Sequence, residues 1–339
     1  MAKITVKDIA QAGGFSEATV SRALNGSSSV TVLTKKKIFE VARRLGYKPG
    51  LVSPLVSGSQ GHNKKVGIII RDITNPFFSS ITSLIFENLE NSGYQAFITT
   101  LSRSSKQEHD SIKMLVDIGV CGIIAAPRSA RTIDNIRTLI GSAIPTVLIF
   151  DTYDDPEVHF VSIDHEKAMF KGTEYLINLG HRKIYYIGAD PENLVIRERV
   201  QGFEKALAVN HIPPNQYKIL HTPANRTGGY SAVTSILNSG DCPTAIVAAT
   251  DYVAFGAMEA LKEHSLRIPA DISLMGFDNV EMSSYSSISL TTIAQPDREL
   301  SDRAVNMLIN QIEHRDRLDR KHVILDSSLI IRDTCRRII

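Results

Sequence analysis

The sequence predicts a small all-α head joined to a two-lobed α/β core with parallel sheets. Two helix-like segments flank a Gly13-Gly14 pair near the start of the chain. Residues 48–64 are rich in Pro, Gly and Ser, and from Lys65 onward short β-rich runs alternate with segments of helical period. That alternation marks parallel strands covered by helices, and a series that restarts midway implies two lobes of one architecture with a cleft between them.

In the head, Thr5 is placed to cap a first helix, with Asp8 three residues on as a short capping box. Val6, Ile9 and Ala10 recur on one face, and Gly13-Gly14 breaks the helix. Ser16 caps a second helix, with Glu17 in its first turn and Val20 and Leu24 facing inward at i and i+4. A helix this short needs a neighbour, and a third from about Thr31 to Leu45 supplies one. Ile38, Val41, Ala42 and Leu45 form its stripe, and Gly46 stops it. Two helices around a glycine turn form a helix-turn-helix, whose second helix enters the DNA major groove. Pro49, Gly50, Pro54, Gly58 and Gly61, set among serines, then mark a linker.

The core opens with the β-rich run Val66–Ile70 and a turn over Asp72–Pro76. A helix over Phe77–Gly93, a strand over Tyr94–Thr99, a helix over Lys106–Ile118, a strand over Gly122–Ala126, a helix over Ile133–Ser142 and a strand over Thr146–Phe150 complete the first series. The second follows Val161–Asp164, with helices over Lys167–Leu179, Glu198–Asn210, Gly229–Asn238 and Ala254–His264. Its strands are Ile184–Ile187, a weak Ile219–Leu220, Ala245–Ala249 and Ile272–Gly276. A helix over Asp302–Glu313 and a single strand over Val323–Ile331 return across the lobes. Open α/β sheets bind ligands outside the carboxyl ends of their strands, so two facing lobes would enclose a small molecule and close by a hinge.

Charge is unevenly spread. The net charge is +2, yet residues 1–65 hold 11 Lys and Arg against three acids, a net of +8, which leaves −6 on the remainder. A basic head on an acidic body fits a nucleic-acid contact confined to the head. Lys35-Lys36-Lys37 and Arg43-Arg44, at the two ends of the third helix, suit phosphates. With 43% hydrophobic residues the chain can bury a core, and no apolar run approaches the roughly 18 residues of a membrane span. Cys121, Cys242 and Cys335 are far apart and in no metal spacing, so they read as free thiols of a reducing cytoplasm. No apolar signal core precedes Thr5, and no Walker loop, Gly-x-Gly-x-x-Gly, His-Glu-x-x-His or Gly-x-Ser-x-Gly is present. The expectation is a cytoplasmic, nucleoid-associated protein that is not an enzyme and needs no cofactor or metal.

The motifs resemble one family. Thr5-Val-Lys-Asp-Ile-Ala10, Ala18-Thr-Val-Ser-Arg-Ala-Leu-Asn-Gly26 and Leu45-Gly-Tyr-Lys-Pro49 are similar to the head signature of the lactose/galactose-repressor (LacI/GalR) regulators. The stretches Val66–Phe78, Leu179–Ile184, Arg199–Phe203, Ile268–Ser273, Gly276–Asn279 and Leu290–Pro296 continue the resemblance over nearly the whole chain. It implies a lambda-repressor-like head over residues 1–48, a hinge over 49–64 and a periplasmic-binding-protein-like core over 65–339. In that core the first lobe takes about 65–162 and 293–322, and the second about 163–292 and 323–339. It further implies a homodimer on pseudo-palindromic operator DNA, since the tetramerising heptad repeat of some members has no counterpart after Arg332–Cys335. Operator affinity would change with a small effector, often a sugar or sugar phosphate. A repressor of sugar-utilisation genes is the leading expectation, and an activator or co-regulator-dependent member the alternative.

By the same resemblance, Glu17, Ala18 and Arg22 match major-groove readers. Arg22 can give paired hydrogen bonds to guanine and Ala18 a methyl contact to thymine. Thr5, Ser16, Thr19, Ser21, Asn25 and Tyr47 complete the DNA contacts, mostly to phosphate. The hinge departs from the family pattern, because Pro54 stands where relatives carry arginine and Val56 where they carry the leucine that opens a minor-groove step. Leu55 serves as that lever after a shift of one residue, and a weaker operator kink is expected. The matching effector residues are Asp72, Phe77, Phe78 and Asp151 from the first lobe, with Arg199, Thr250 and Asp278 from the second. Carboxylates and a guanidinium suit sugar hydroxyls. Ala224 stands where several relatives carry a stacking aromatic.

Overall fold

The computed structural model describes residues 5–24, 30–31, 34, 37–38, 40–42, 45, 64–101, 105–140, 144–152, 158–314 and 322–338. The chain divides into two compact units, one of Met1–Asn63 with Met114–Val120 and one of Lys64–Lys113 with Cys121–Ile339.

In the head, α1 (Val6–Gly13) starts in a full capping box. The Asp8 N–H donates to Thr5 Oγ1 at 3.3 Å, and the Thr5 N–H donates to Asp8 Oδ2 at 2.7 Å. Those hydrogen bonds from Thr5 hold the Asp8 carboxyl below its ordinary range. Gly14, at φ +69°, ends α1 in the left-handed conformation and donates to the Ala10 carbonyl, which is why glycine follows the helix. Ser16 caps α2 (Glu17–Leu24) through a 3.1 Å bond from the Thr19 N–H. Ile9, Ala10, Val20 and Ala23 bury against Val30, Ile38 and Ala42. Thr34, Lys37, Ile38 and Glu40–Ala42 are helical, and the other residues from 32 to 44 lie outside the described set.

The core holds two six-stranded sheets. Strands β1 (Lys65–Ile70), β2 (Gln95–Thr100), β3 (Gly122–Ala125), β4 (Thr146–Ile149), β5 (His159–Ile163) and β11 (His322–Leu325) form the first, in the order β11-β5-β4-β3-β1-β2. Strands β6 (Ile184–Ile187), β7 (Tyr217–Leu220), β8 (Ala245–Ala248), β9 (Ser273–Asp278), β10 (Thr291–Ala294) and β12 (Ser328–Ile330) form the second, ordered β12-β10-β9-β8-β6-β7. All neighbours run parallel except β12 against β10. The helices are α3 (Pro76–Asn91), α4 (Ser105–Ile118), α5 (Ala130–Ile140), α6 (His165–Asn178), α7 (Leu194–Val209), α8 (Arg226–Asn238), α9 (Asp251–Glu263) and α10 (Asp297–Glu313).

Two expectations need correction. Thr291–Ala294 belongs to the second sheet, whereas Val323–Leu325 pairs with β5 in the first, so the expected lobe boundaries at 293 and 323 are misplaced. The expected single strand Val323–Ile331 is two strands in different sheets, broken at Asp326-Ser327 where the chain crosses between lobes. Its apolar residues continue on both sides of that break, so pattern alone could not divide it. The chain therefore crosses three times: after β5, after β10 and after β11. Helix α10, entered from β10, buries Leu300, Ala304, Val305 and Leu308 in the first lobe's core.

Helices α6 and α7 pack closely because Gly202 lets the backbones touch; a methyl there would fall inside the van der Waals shell of the Glu166 carbonyl. Gly202→Ala is expected to lower stability by about 1–3 kcal/mol. A thermal melt unchanged from wild type would contradict this close packing.

Candidate functional site

Both sheets change winding direction in the same way, with β1 between β2 and β3, and β6 between β7 and β8. Ligands bind at such switch points, beyond the carboxyl ends of the strands. A cavity lies there between the lobes, with about 80 Å³ open to the centres of water molecules. Nearly every strand end in reach supplies a polar residue to it: Arg71 and Asp72 after β1, Arg128 after β3, Asp190 after β6, Thr250 after β8 and Gln295 after β10. Helix N-termini point there too. Asn75, Asn193, Asn225 and Thr250 line the cavity and are the capping residues of α3, α7, α8 and α9. Their helices direct backbone N–H groups and positive partial charge inward.

Arg199, on α7, is the most constrained group. Its guanidinium lies 3.5 Å from the centre of the Phe277 ring. Nη1 donates to the Ala249 carbonyl at 2.7 Å, Nε to His165 Nδ1 at 3.4 Å and Nη2 to Asp278 Oδ1 at 3.4 Å. These bonds use three of the five N–H donors of an arginine. Burial works against charge on both members of the pair: it pushes the Asp278 carboxyl up to about 6, against the pull of Arg199, and holds Arg199 below its ordinary value. Burial likewise keeps the His165 pKa well below the usual imidazole value. His165 is then neutral at pH 7: Nδ1 accepts from Arg199, and Nε2 donates to the Phe150 carbonyl at 3.0 Å. Phe150 at φ +74° and Asp278 at φ +116° hold left-handed backbone that side chains rarely adopt, and both border the cavity.

Of the seven residues expected from sequence, Asp72, Phe77, Phe78, Arg199, Thr250 and Asp278 line this cavity. Asp151 does not, and this is a correction. Its side chain is wholly covered and ion-paired to Arg71, which takes its place in the wall. Arg71 also donates to Asn193 Oδ1 at 3.4 Å across the cleft. Phe77 is 5% exposed and packs its ring at 5.1 Å from Phe150, so it is as much core as lining. Arg71, Arg128, Asp190, Asn193 and Gln295 were not read from the sequence, although the rule about strand ends would have found most of them. Gln295 Nε2 donates to Asp278 Oδ1 at 2.8 Å, while its Oε1 is buried with no partner among the described residues. Arg71, Arg128 and Arg199 face Asp72, Asp190 and Asp278, three charges of each sign. Among the described residues no His, Cys, Asp and Glu cluster could hold a metal, and no helix is long and apolar enough to cross a membrane.

In the head, Ser16, Glu17, Ala18 and Arg22 are exposed, Thr19 and Ser21 half-buried, and Val20 and Ala23 point inward. The Arg22 side chain folds back, its Nε donating to the Ala18 carbonyl at 3.2 Å. Ser16 Oγ and Thr19 Oγ1 are hydrogen-bonded to each other at 2.7 Å. Thr5 is exposed and spends its hydroxyl on the cap. Asn25, Tyr47, Pro54, Leu55 and Val56 lie outside the described residues, as does the rest of the hinge as far as residue 63.

Comparison with known proteins joins the two units. Residues 5–50 match the model for bacterial regulatory proteins of the lacI family, and residues 63–331 match that for periplasmic binding proteins and the sugar-binding domain of the LacI family. The chain belongs to the LacI family. A ribose operon repressor of Haemophilus influenzae is 28% identical over 330 residues, covering 97% of this chain and 98% of the relative. The repressor PurR of Vibrio vulnificus is 29% identical over 336 residues, covering 98% and 99%. A LacI-family regulator from Enterococcus faecium, solved with bound ribose, superposes with a TM-score of 0.74 at 27% identity over 81% of this chain and 100% of that one. The lac repressor dimer bound to operator and the anti-inducer ONPF superposes with a TM-score of 0.73 at 27% identity, covering 99% and 100%.

This LacI-family chain is a DNA-binding transcriptional regulator and not an enzyme. One more carboxylate supports its cleft from behind. Asp251 is fully buried and accepts from Ser283 Oγ at 2.6 Å, Thr292 Oγ1 at 2.5 Å and the Val280 N–H at 3.0 Å, which pins the loop after Asp278. Burial and the nearby Asp278 push its carboxyl from 3.8 up to about 7, against those donors. A carboxyl that holds its proton more tightly when folded stabilises fully below the unfolded value and loses that stabilisation as pH rises through the folded one. Asp251→Asn is therefore expected to flatten the fall in melting temperature between about pH 4 and pH 7. Identical pH profiles for variant and wild type would refute it.

Proposed function

We propose that this protein is a repressor of sugar-utilisation genes whose operator affinity changes when a small polyhydroxylated effector binds between its lobes. The observation that carries the reading is the cavity itself, enclosed by two lobes, balanced in charge and lined by carboxylates, amides and a partly committed guanidinium. Hydroxyl groups both donate and accept, so such a lining suits them better than it suits an ion. The bound sugar in the similar regulator from Enterococcus faecium supports the same class. Asp72, Phe77, Phe78, Arg199, Thr250 and Asp278 are assigned to the effector, with Asp151 acting through Arg71.

On the DNA side, Glu17, Ala18 and Arg22 read bases, while Thr5, Ser16, Thr19, Ser21, Asn25 and Tyr47 hold phosphates or neighbouring backbone. Leu55 or Val56 enters the minor groove. Assembly is a homodimer on a pseudo-palindromic operator, in the cytoplasm at the nucleoid. Head 1–48, hinge 49–64 and core form the working parts. The effector favours one lobe arrangement, and the hinges follow. A tenfold change in operator affinity needs about 1.4 kcal/mol of coupling between the two sites.

Arg22→Ala is expected to weaken operator binding by about 1–3 kcal/mol, read by fluorescence anisotropy on promoter DNA, with sugar binding kept. Arg199→Ala should abolish stabilisation by sugars in a thermal-shift screen and leave sugar-free DNA binding in place. Sugar binding unchanged in Arg199→Ala would overturn the cleft assignment; undiminished operator affinity in Arg22→Ala would overturn the reader.

A further inference from the structure

Beside the inner cavity the cleft holds a second, outer chamber. It has about 700 Å³ open to the centres of water molecules, against about 80 Å³ inside. Small-molecule sites commonly occupy roughly 300–1,000 Å³. The two chambers share Arg128 and Asp190 as walls. On two segments the chain steps from the lining of one chamber to that of the other between adjacent residues. Pro223 lines the outer chamber and Ala224 the inner; Leu194 lines the outer and Asn193 the inner. Ala224 has the smallest side chain of the inner lining.

We infer that Ala224 leaves the inner chamber open to the outer one, so that the cleft takes an uncharged carbohydrate of two or more rings. One ring sits against Arg199, Asp278 and Gln295, and the next lies in the outer chamber. Charge supports the uncharged class. The outer chamber sets Arg128, Arg131 and Arg197 against Glu108, Asp190 and Glu192, again three of each sign. A phosphorylated sugar would be served by an excess of cations, which neither chamber has. Pro191, Leu194 and Pro223 add apolar surface for the faces of a second ring.

The inference rests on the effector-binding reading above, and one titration series separates the two. Isothermal titration calorimetry of the full-length chain would use glucose, maltose, cellobiose, trehalose, galactose, lactose and glucose 6-phosphate as probes. At least one disaccharide is expected to bind about tenfold more tightly than its own monosaccharides. Ala224→Phe is expected to cut the ratio of disaccharide to monosaccharide affinity at least tenfold, and Ala224→Leu to cut it in the same direction. A monosaccharide or glucose 6-phosphate bound as tightly as every disaccharide would overturn the extended ligand and leave the sugar-effector reading intact. No heat of binding from any probe would overturn both.

Discussion

The Arg199 guanidinium is the charge around which the second lobe's half of the cleft is arranged. A buried cation is tolerated only when its surroundings satisfy it. Here the satisfaction comes from four groups on three separate elements: the Phe277 ring and the Asp278 carboxylate at the end of β9, the Ala249 carbonyl after β8, and His165 at the start of α6. Asp278 is in turn held by Gln295, after β10. Each partner is thus fixed by the need of one side chain, and a ligand in the cleft meets a preorganised wall. The first lobe repeats the arrangement with Arg71 and Asp151, whose carboxylate is lodged behind the wall. Two arginines, each with its own buried acid, face each other across the cleft.

Much of this was legible in the sequence because the relevant patterns are local. Capping at Thr5 and Ser16, the glycine stop at Gly14 and the alternation of strands with helices all depend on residues within a few positions of one another. The helices also begin earlier than their apolar periodicity announces. Helix α7 starts at Leu194 rather than Glu198, because Leu194-Val195-Ile196 is a continuous apolar run that shows no helical period, and α10 starts at Asp297 rather than Asp302, because its first turn is polar. What escaped was long-range. Nothing near Asp326-Ser327 says that β11 and β12 join different sheets. Arg71 reads as a charge after a buried strand, and only its partner 80 positions away reveals its role. Six of the seven expected cleft residues nevertheless share one cavity, since strand ends in this architecture converge whatever their spacing.

The head shows how a short helix is made to present a face. Inward Val20 and Ala23 fix the rotation of α2, and Glu17, Ala18 and Arg22 then fall on solvent by the 3.6-residue period alone. Arg22 is parked on its own helix, its Nε donating to the Ala18 carbonyl.

The three crossings between the lobes bear on durability as well as motion. Each is short: Asp164 alone, Gln295-Pro296, and Asp326-Ser327. Their strands lie side by side at the sheet edges, β5 beside β11 and β10 beside β12. At about 3.3–3.6 Å per residue such tethers leave little room for sliding or twisting, and bending is the one soft movement. The joint is also redundant, because a break in the backbone at any one crossing leaves two covalent straps in place. Gln295, which touches Asp278, lies on one of those straps, so the pocket floor and the fulcrum are partly the same piece of chain.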